Sequence, residues 1–485
     1  MKRLLLIIFM FFATHLTYAQ NCSCADNFVW LKETFEKNDA GFQYVIDKKG
    51  IEEYTNHLNY YEEKVKTIDS KQECLENLQN WLYFFRKGHL WIDFASDTVT
   101  QENAILDTLK IRNQYKNWET FPYNENEYNK YLSKIKEPGL EGVWFSEPYK
   151  IGVKKNKNEY IGFIIEADGV YWSKAQVKFK IKEENGKYDA VYYMQDHSVQ
   201  NIKNIELIGN NYLKMDFVLL KRVSPCFPSN KLVEMYFNIF TKNEAYFEKI
   251  TENTTLLRIP SFDYANKKII DSLIENNMNI ISSKENLIID LRFNGGGSDN
   301  CFEKIIPIIY TNPIRTIGVE FLSSKTNNLR MIEFMNDPEF SEEDKKWAKT
   351  AFEKLNQHIG EFVSLDTTII DIIAYDTIYL YPKNVGIIIN NGCGSTTEQF
   401  LLAAKQSKKV KLFGTTTYGS LDISNMHFVK SPCNDFELGY GLSRSKRIPN
   451  MTIDGKGIQP DYYIDETINT YDWVDFVNKI LSNEF

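Results

Sequence analysis

Val385-Gly386-Ile387-Ile388-Ile389-Asn390-Asn391-Gly392-Cys393-Gly394-Ser395-Thr396-Thr397-Glu398-Gln399-Phe400 decides how this chain is read. Its first five residues form an uninterrupted apolar run, the mark of a strand buried on both faces of a parallel sheet. A glycine-containing turn follows, and Phe400-Leu401-Leu402-Ala403-Ala404 then reads as the apolar side of a helix. A serine at such a strand–turn–helix junction presents its hydroxyl while neighbouring N–H groups at the helix N-terminus point outward. That arrangement suits nucleophilic attack and the holding of an oxyanion. The competing reading is a helix cap, because Glu398 lies three residues beyond Ser395, the spacing of a capping box. Local sequence alone favours the cap, since caps far outnumber nucleophiles.

Outward from this stretch, strands and helices alternate from about residue 255 to 465, the signature of an α/β layer architecture. Thr255–Ile259 and Leu287–Leu291 read as strands, Tyr264–Ser283 as a helix, and roughly 338–360 as a more acidic helical insertion. Further strands are expected at Thr377–Tyr381 and Val385–Ile389. Asp290-Leu291-Arg292-Phe293-Asn294 ends a strand in Gly295-Gly296-Gly297, which lacks both GxGxxG spacing and a Walker lysine and so does not read as a phosphate loop. Glycines there admit unusual backbone angles and close approach of a carbonyl. The functional reading is an oxyanion loop in which Gly295 and Gly296 act with the N–H of Thr396. A plain strand-to-helix turn is the other possibility.

Five segments together resemble peptidase family S41, the carboxyl-terminal processing and tricorn-type serine proteases. They are Leu257-Arg258-Ile259-Pro260-Ser261-Phe262, Leu287 to Gly297, Asn391 to Phe400, Leu412 to Gly419, and Gly455-Lys456-Gly457-Ile458-Gln459-Pro460-Asp461. The resemblance spans roughly residues 255–465 and implies a ClpP/crotonase-like core with Ser395 as nucleophile. In the processing branch a lysine acts as general base just after a Gly-Lys-Thr-Phe-Gly-like run. Here Ser420 occupies that place, 25 residues beyond Ser395, and a hydroxyl is no base near neutral pH. The tricorn-type branch instead takes a histidine from a segment preceding the core, assisted by a carboxylate.

After the first 19 residues five histidines remain: His57, His89, His197, His358 and His427. His57 and His358 lie in polar helical stretches, His197 in a loop beside Asp196 and Ser198, and His427 on a strand. His89 closes Phe84-Phe85-Arg86-Lys87-Gly88-His89, with a helix stop expected at Gly88. The Gly-His step followed by Leu90 and Ile92 is similar to the tricorn-type histidine segment, which implies His89 as base, although a serine precedes the histidine there. A helix-end histidine stabilised by the helix dipole is the plain alternative. Asp454 stands where the family carries a glutamate. It either assists the base or shapes the Asp-Gly turn in which it sits.

The rest of the chain sets the context. At 485 residues, about three domains are expected. Lys2, Arg3, the apolar Leu4–Ala13 and Thr17-Tyr18-Ala19 read as a signal peptide over 1–19, so the protein is expected in the periplasm or outside the cell. Losing those two cations takes the formal charge from −8 to −10, which argues against nucleic acid or an anionic membrane as partner. No later run is long and apolar enough to span a bilayer.

Residues 20–138 read as a helical domain, with Leu78, Trp81, Leu82 and Phe85 on one face. Residues 139–252 read as an antiparallel barrel or sandwich, with turns at Glu184–Lys187 and Gly209–Asn211. Residues 253–485 form the α/β catalytic domain. Seven cysteines leave at least one unpaired within a monomer, and their spacing matches no zinc pattern, so neither metal nor cofactor is expected. The expectation is an exported serine endopeptidase acting on peptides or proteins. A noncatalytic peptide- or ligand-binding protein and an esterase on the same fold are the alternatives.

Overall fold

The computed structural model describes residues 22–95, 108, 110–338 and 340–483, so the expected signal peptide lies outside the described residues. Four helices open it: α1 (Cys24–Asn38), α2 (Phe42–Lys49), α3 (Ile51–Lys64) and α4 (Lys71–Leu82). Strand β1 (Trp91–Phe94) follows, and helix α5 (Glu125–Leu132) precedes the β-rich region. The helix carrying Trp81 ends at Leu82 rather than at Gly88, with Phe85 buried in the turn beyond it. The Tyr83 and Phe84 N–H groups tighten back onto preceding carbonyls and close the helix before any glycine is reached.

Strands β2 (Gly142–Ser146), β3 (Tyr149–Asn156), β4 (Glu159–Glu166), β5 (Val177–Glu184), β6 (Lys187–Tyr193), β7 (Val199–Ile208), β8 (Tyr212–Met215) and β9 (Val218–Ser224) form a closed antiparallel barrel. Alternate residues such as Ile151, Val153, Phe179, Ile181 and Leu213 fill its interior. Asn185 and Gly186 both take positive φ in the β5–β6 turn, the geometry a two-residue hairpin requires. Helix α6 (Lys231–Thr241) leads out of the barrel.

The last region holds a six-stranded sheet in the order β10 (Tyr246–Lys249), β11 (Thr254–Arg258), β12 (Asn286–Asp290), β17 (Asn384–Ile389), β18 (Val410–Gly414), β21 (Tyr462–Tyr463). All pairings but β10–β11 are parallel. Both faces are covered, which is why the central strands β12 and β17 carry the apolar runs Leu287–Ile289 and Val385–Ile389. Leu257, Ile289, Ile387 and Leu412 pack with Ile270 and Ile274 of helix α7 (Lys267–Ile281). Leu256, Ile288, Ile388 and Phe413 face the opposite way, onto Met235 of α6 and a C-terminal helix over Trp473–Leu481.

A second sheet joins β1 to β20 (Phe436–Ser445), flanked by β14 (Val319–Leu322), β15 (Phe362–Val363) and β19 (Ile423–Lys430). Ile92 of β1 and Phe436, Leu438, Tyr440 and Leu442 of β20 complete the core of the N-terminal helices. The helical region is thereby fused to the α/β region through one shared sheet.

β13 (Ile314–Ile317) and β16 (Ile370–Ile373) pair separately. The expected strand at Thr377–Tyr381 is absent. Its β-prone residues find no ladder partner, and Ile378 and Leu380 stay exposed. Helix α8 (Leu329–Asn336) precedes the expected insertion, and helix α9 (Glu342–Asn356) fills it. Disulfides Cys22–Cys433 and Cys24–Cys74 tie the start of α1 to the β19–β20 turn and to α4. Cys226, Cys301 and Cys393 are free. Among the described residues no helix is long and apolar enough to cross a membrane.

Candidate active site

Ser395 follows β17 and immediately precedes helix α10 (Thr396–Ala404), with φ 56° and ψ −126°. A serine held in this sparsely populated region is strained, and such strain is stored where a hydroxyl must be aimed. The turn is held from every side. Asn390 Oδ1 accepts the N–H groups of Phe293 and Gly392 at 2.9 and 3.1 Å. The Cys393 thiol donates to Leu291 O at 3.0 Å. Thr396 and Thr397 hydroxyls donate to Gly297 O and Asn294 O, each at 2.8 Å. The Ser395 N–H donates to Ser420 O at 3.0 Å. The Cys393 thiol is pushed up to about 12 by burial, which leaves it a structural group rather than a rival nucleophile.

The capping reading fails on geometry. The Ser395 side chain caps nothing. Glu398 turns away, accepting from Gly419 N–H at 2.8 Å, Ser420 N–H at 2.7 Å and the Thr417 hydroxyl. Burial raises the Glu398 carboxyl against these hydrogen bonds. Glu398 therefore fixes the loop bearing Ser420, a role its sequence position hid behind the spacing of a capping box.

Gly296 abuts the serine so closely that a Cβ there would lie 2.6 Å from Ser395 Cβ and 2.9 Å from Thr396 N, at φ +108°. Its own N–H, however, donates to Asn294 Oδ1 at 3.0 Å. That N–H is thus already engaged, and what Gly296 supplies here is the close approach to the serine turn. The N–H of Thr396, first in its helix, has no intrahelical acceptor. Gly295 lines the open cleft beside Gly392 and Gly394.

That cleft, of about 300 Å³, has His89, Gly88 and Trp91 on one wall and Tyr418 and Ser420 on another. His89 has φ 50° and is half-buried. Its Nδ1 lies 2.7 Å from Ile423 O. A carbonyl only accepts, so Nδ1 carries the proton and Nε2 keeps its lone pair. Burial lowers the imidazole to about 4, helped by the charge of Arg86, so the ring is neutral at ordinary pH. Among the described residues no hydrogen bond joins Ser395 Oγ to His89.

The histidine loop is anchored by Arg86. This side chain donates to Gly88 O at 3.1 Å and His89 O at 3.0 Å, while its other donors grip the fully buried Asp39. Asp39 in turn accepts from Gly441 N–H of β20 at 3.3 Å.

Asp454 does not touch His89. Its Oδ1 accepts from Leu421 and Asp422 N–H, each at 2.6 Å, and its Oδ2 from Ile423 N–H at 3.2 Å. Asp422 reciprocates, accepting from Ile453 and Asp454 N–H at 2.6 and 2.8 Å and from Arg447 Nε at 3.0 Å. The two carboxylates clasp each other's backbone, and the clasped segment ends in the carbonyl that holds His89. Burial, then the neighbouring charge of Asp422, raises the Asp454 carboxyl.

The other histidines go elsewhere. His57 stacks on Phe84, with Nε2 3.0 Å from Trp81 O. His197 is buried between Tyr115 and Trp172 in the barrel region. His358 is exposed beside Glu361, and His427 is buried against Tyr440 and Glu333.

The parallel sheet thus ends in a strained serine turn, with a neutral histidine and several glycines lining the cleft beside it. Residues 253–464 match the family model described as Peptidase family S41, and this domain belongs to that family. The fold is similar to that of mature CPAF complexed with lactacystin, at 12% identity and TM-score 0.52 over 95% of this chain and 98% of that one. Mature CPAF alone gives 12% identity and TM-score 0.50 over 95% and 96%. No curated protein sequence matches closely enough to add to these. The family consists of serine-type hydrolases, and peptidase activity is what family and fold support.

Proposed function

We propose that the protein is an exported serine endopeptidase that hydrolyses peptide bonds through an acyl-enzyme on Ser395, with His89 as general base. The observation that carries this reading is the Nδ1–Ile423 contact at 2.7 Å, which leaves Nε2 as the free basic nitrogen in the cleft beside the serine turn. In the proposed cycle His89 Nε2 takes the Ser395 proton as Oγ attacks the substrate carbonyl. The N–H of Thr396, with that of Gly295, stabilises the oxyanion. The imidazolium then gives its proton to the leaving amine, and a water activated by the same nitrogen releases the acid. Asp454 acts as a positioning residue, since it meets His89 only through the Leu421–Ile423 backbone. Two disulfides favour an oxidising compartment.

The lack of a Ser395–His89 hydrogen bond favours, as the second reading, a noncatalytic binder on the same fold. Catalytic contacts that tighten only around substrate reconcile the geometry with the first. Fluorophosphonate labelling of wild type, Ser395→Ala and His89→Ala decides between them. Labelling of wild type that disappears in both variants is the expected result. A folded wild type that resists labelling would establish the binder.

A further inference from the structure

Resting on the peptidase reading above, we infer that Trp91 and Phe428 form an aromatic subsite that receives a large apolar side chain of the peptide substrate. Trp91 lines the catalytic cleft. It is 37% exposed and Phe428 is 39% exposed. Their ring centroids are 5.5 Å apart, on strands that do not pair with one another. They meet because each stands opposite the same residue of β20: Trp91 pairs in register with Gly439, and Phe428 does so from the other side. A Cβ on residue 439 would lie 2.9 Å from both Trp91 Nε1 and Phe428 Cε1. Glycine at this position is what lets the two rings lie together across the strand.

Single exposed apolar side chains need no explanation, but two touching rings continuous with a reactive cleft do. The platform is also bounded. Asp93, Glu437 and Lys430 occupy the next outward-facing positions of the same three strands, so on that side the apolar surface ends one residue pair beyond the rings. An aromatic or branched aliphatic side chain fits that extent. Its burial against the rings would hold the peptide while the adjacent carbonyl lies over the glycine floor.

The test is a series of peptides that place Phe or Ala at one position at a time, cleaved by wild type, Trp91→Ala, Phe428→Ala and Gly439→Ala. Wild type should prefer Phe at one position, and each variant should reduce that kcat/KM preference by about 10-fold or more. The preference is a ratio, so damage to the fold would lower both peptides alike and leave it unchanged. An unchanged ratio in Trp91→Ala and Phe428→Ala, or no positional preference in wild type, overturns the subsite. Fluorophosphonate labelling of wild type keeps the two readings apart. If wild type labels and shows no such preference, only the subsite fails; if it does not label, the peptidase reading fails first.

Discussion

Replacing Gly88 by alanine should nearly silence Ser395, and removing the Ser420 side chain should restore it. A Cβ added at residue 88 would lie 2.3 Å from Ser420 Cβ and 3.1 Å from Ser420 Oγ. Carbon atoms pack at about 3.5–4.0 Å, so the histidine loop and the Ser420 loop must part by about 1 Å or more. Neither can move freely. Arg86 holds the carbonyls of Gly88 and His89, and Glu398 holds the Ser420 N–H. A misplacement of about 1 Å between reacting groups costs on the order of 100-fold in rate. The strain of overpacking adds about 1–3 kcal/mol of instability. In Gly88→Ala/Ser420→Gly both Ser420 atoms are gone, and only Tyr418 Cε1 remains near, at 3.3 Å. The assay is the rate of fluorophosphonate labelling at Ser395, read beside a thermal melt. Expected is a roughly 100-fold loss in Gly88→Ala and recovery of most of it in the double variant. Wild-type labelling by Gly88→Ala, or an unrescued double variant, would refute the idea that this contact sets the position of His89.

Three further outcomes are expected. Because burial lowers His89 to about 4, its neutral form dominates from just above that pH, so labelling should stay level from pH 8 down to about 5.5 and fall only near pH 4. An ordinary histidine would already have lost about ten-fold by pH 5.5, and a limb at pH 6–7 would show that burial does not depress the His89 imidazole. Asp454→Asn replaces an acceptor of three N–H groups by an amide that can turn only one oxygen to them. Labelling should drop about 10-fold or more and stability by about 1–3 kcal/mol, as read by labelling and denaturant titration; an unchanged rate would reduce the residue to a turn former. Arg86→Ala leaves the Asp39 carboxylate buried and unpaired, at a cost of about 3–5 kcal/mol in denaturant unfolding. A loss below about 1 kcal/mol would mean that this pair does not anchor the loop.

The core of the fold was legible because its strands advertise themselves. Leu287–Ile289 and Val385–Ile389 are unbroken apolar runs since helices cover both faces. The hairpin at Asn185-Gly186 was equally plain, as those residues tolerate positive φ. What could not be read was pairing at long range. Trp91–Phe94 is a short strand whose partner lies at Phe436–Gly439, and no local pattern announces such a register. Thr377–Tyr381 misled for the converse reason: it has strand-forming residues without a partner.

At the site, the turn around Ser395 was visible as a strand–turn–helix junction. The tasks of Glu398, Asp422 and Asn294 were hidden, because all three act by accepting backbone N–H groups. Backbone donors carry no sequence signature, so such residues emerge only with the fold.

The joint between β1 and β20 also sets a schedule. The His89 contact with Ile423 spans 334 residues and the Cys22–Cys433 bridge spans 411. A chain made from its N-terminus holds its histidine element early but lacks β19 and β20, which bring that element to the serine, until close to the end. Closing so long a loop is among the last and slowest contacts a chain makes. The cleft between His89 and the serine turn therefore stays unassembled for as long as the chain is extended. On the proposed peptidase reading, competence would arrive together with the compact fold that resists it.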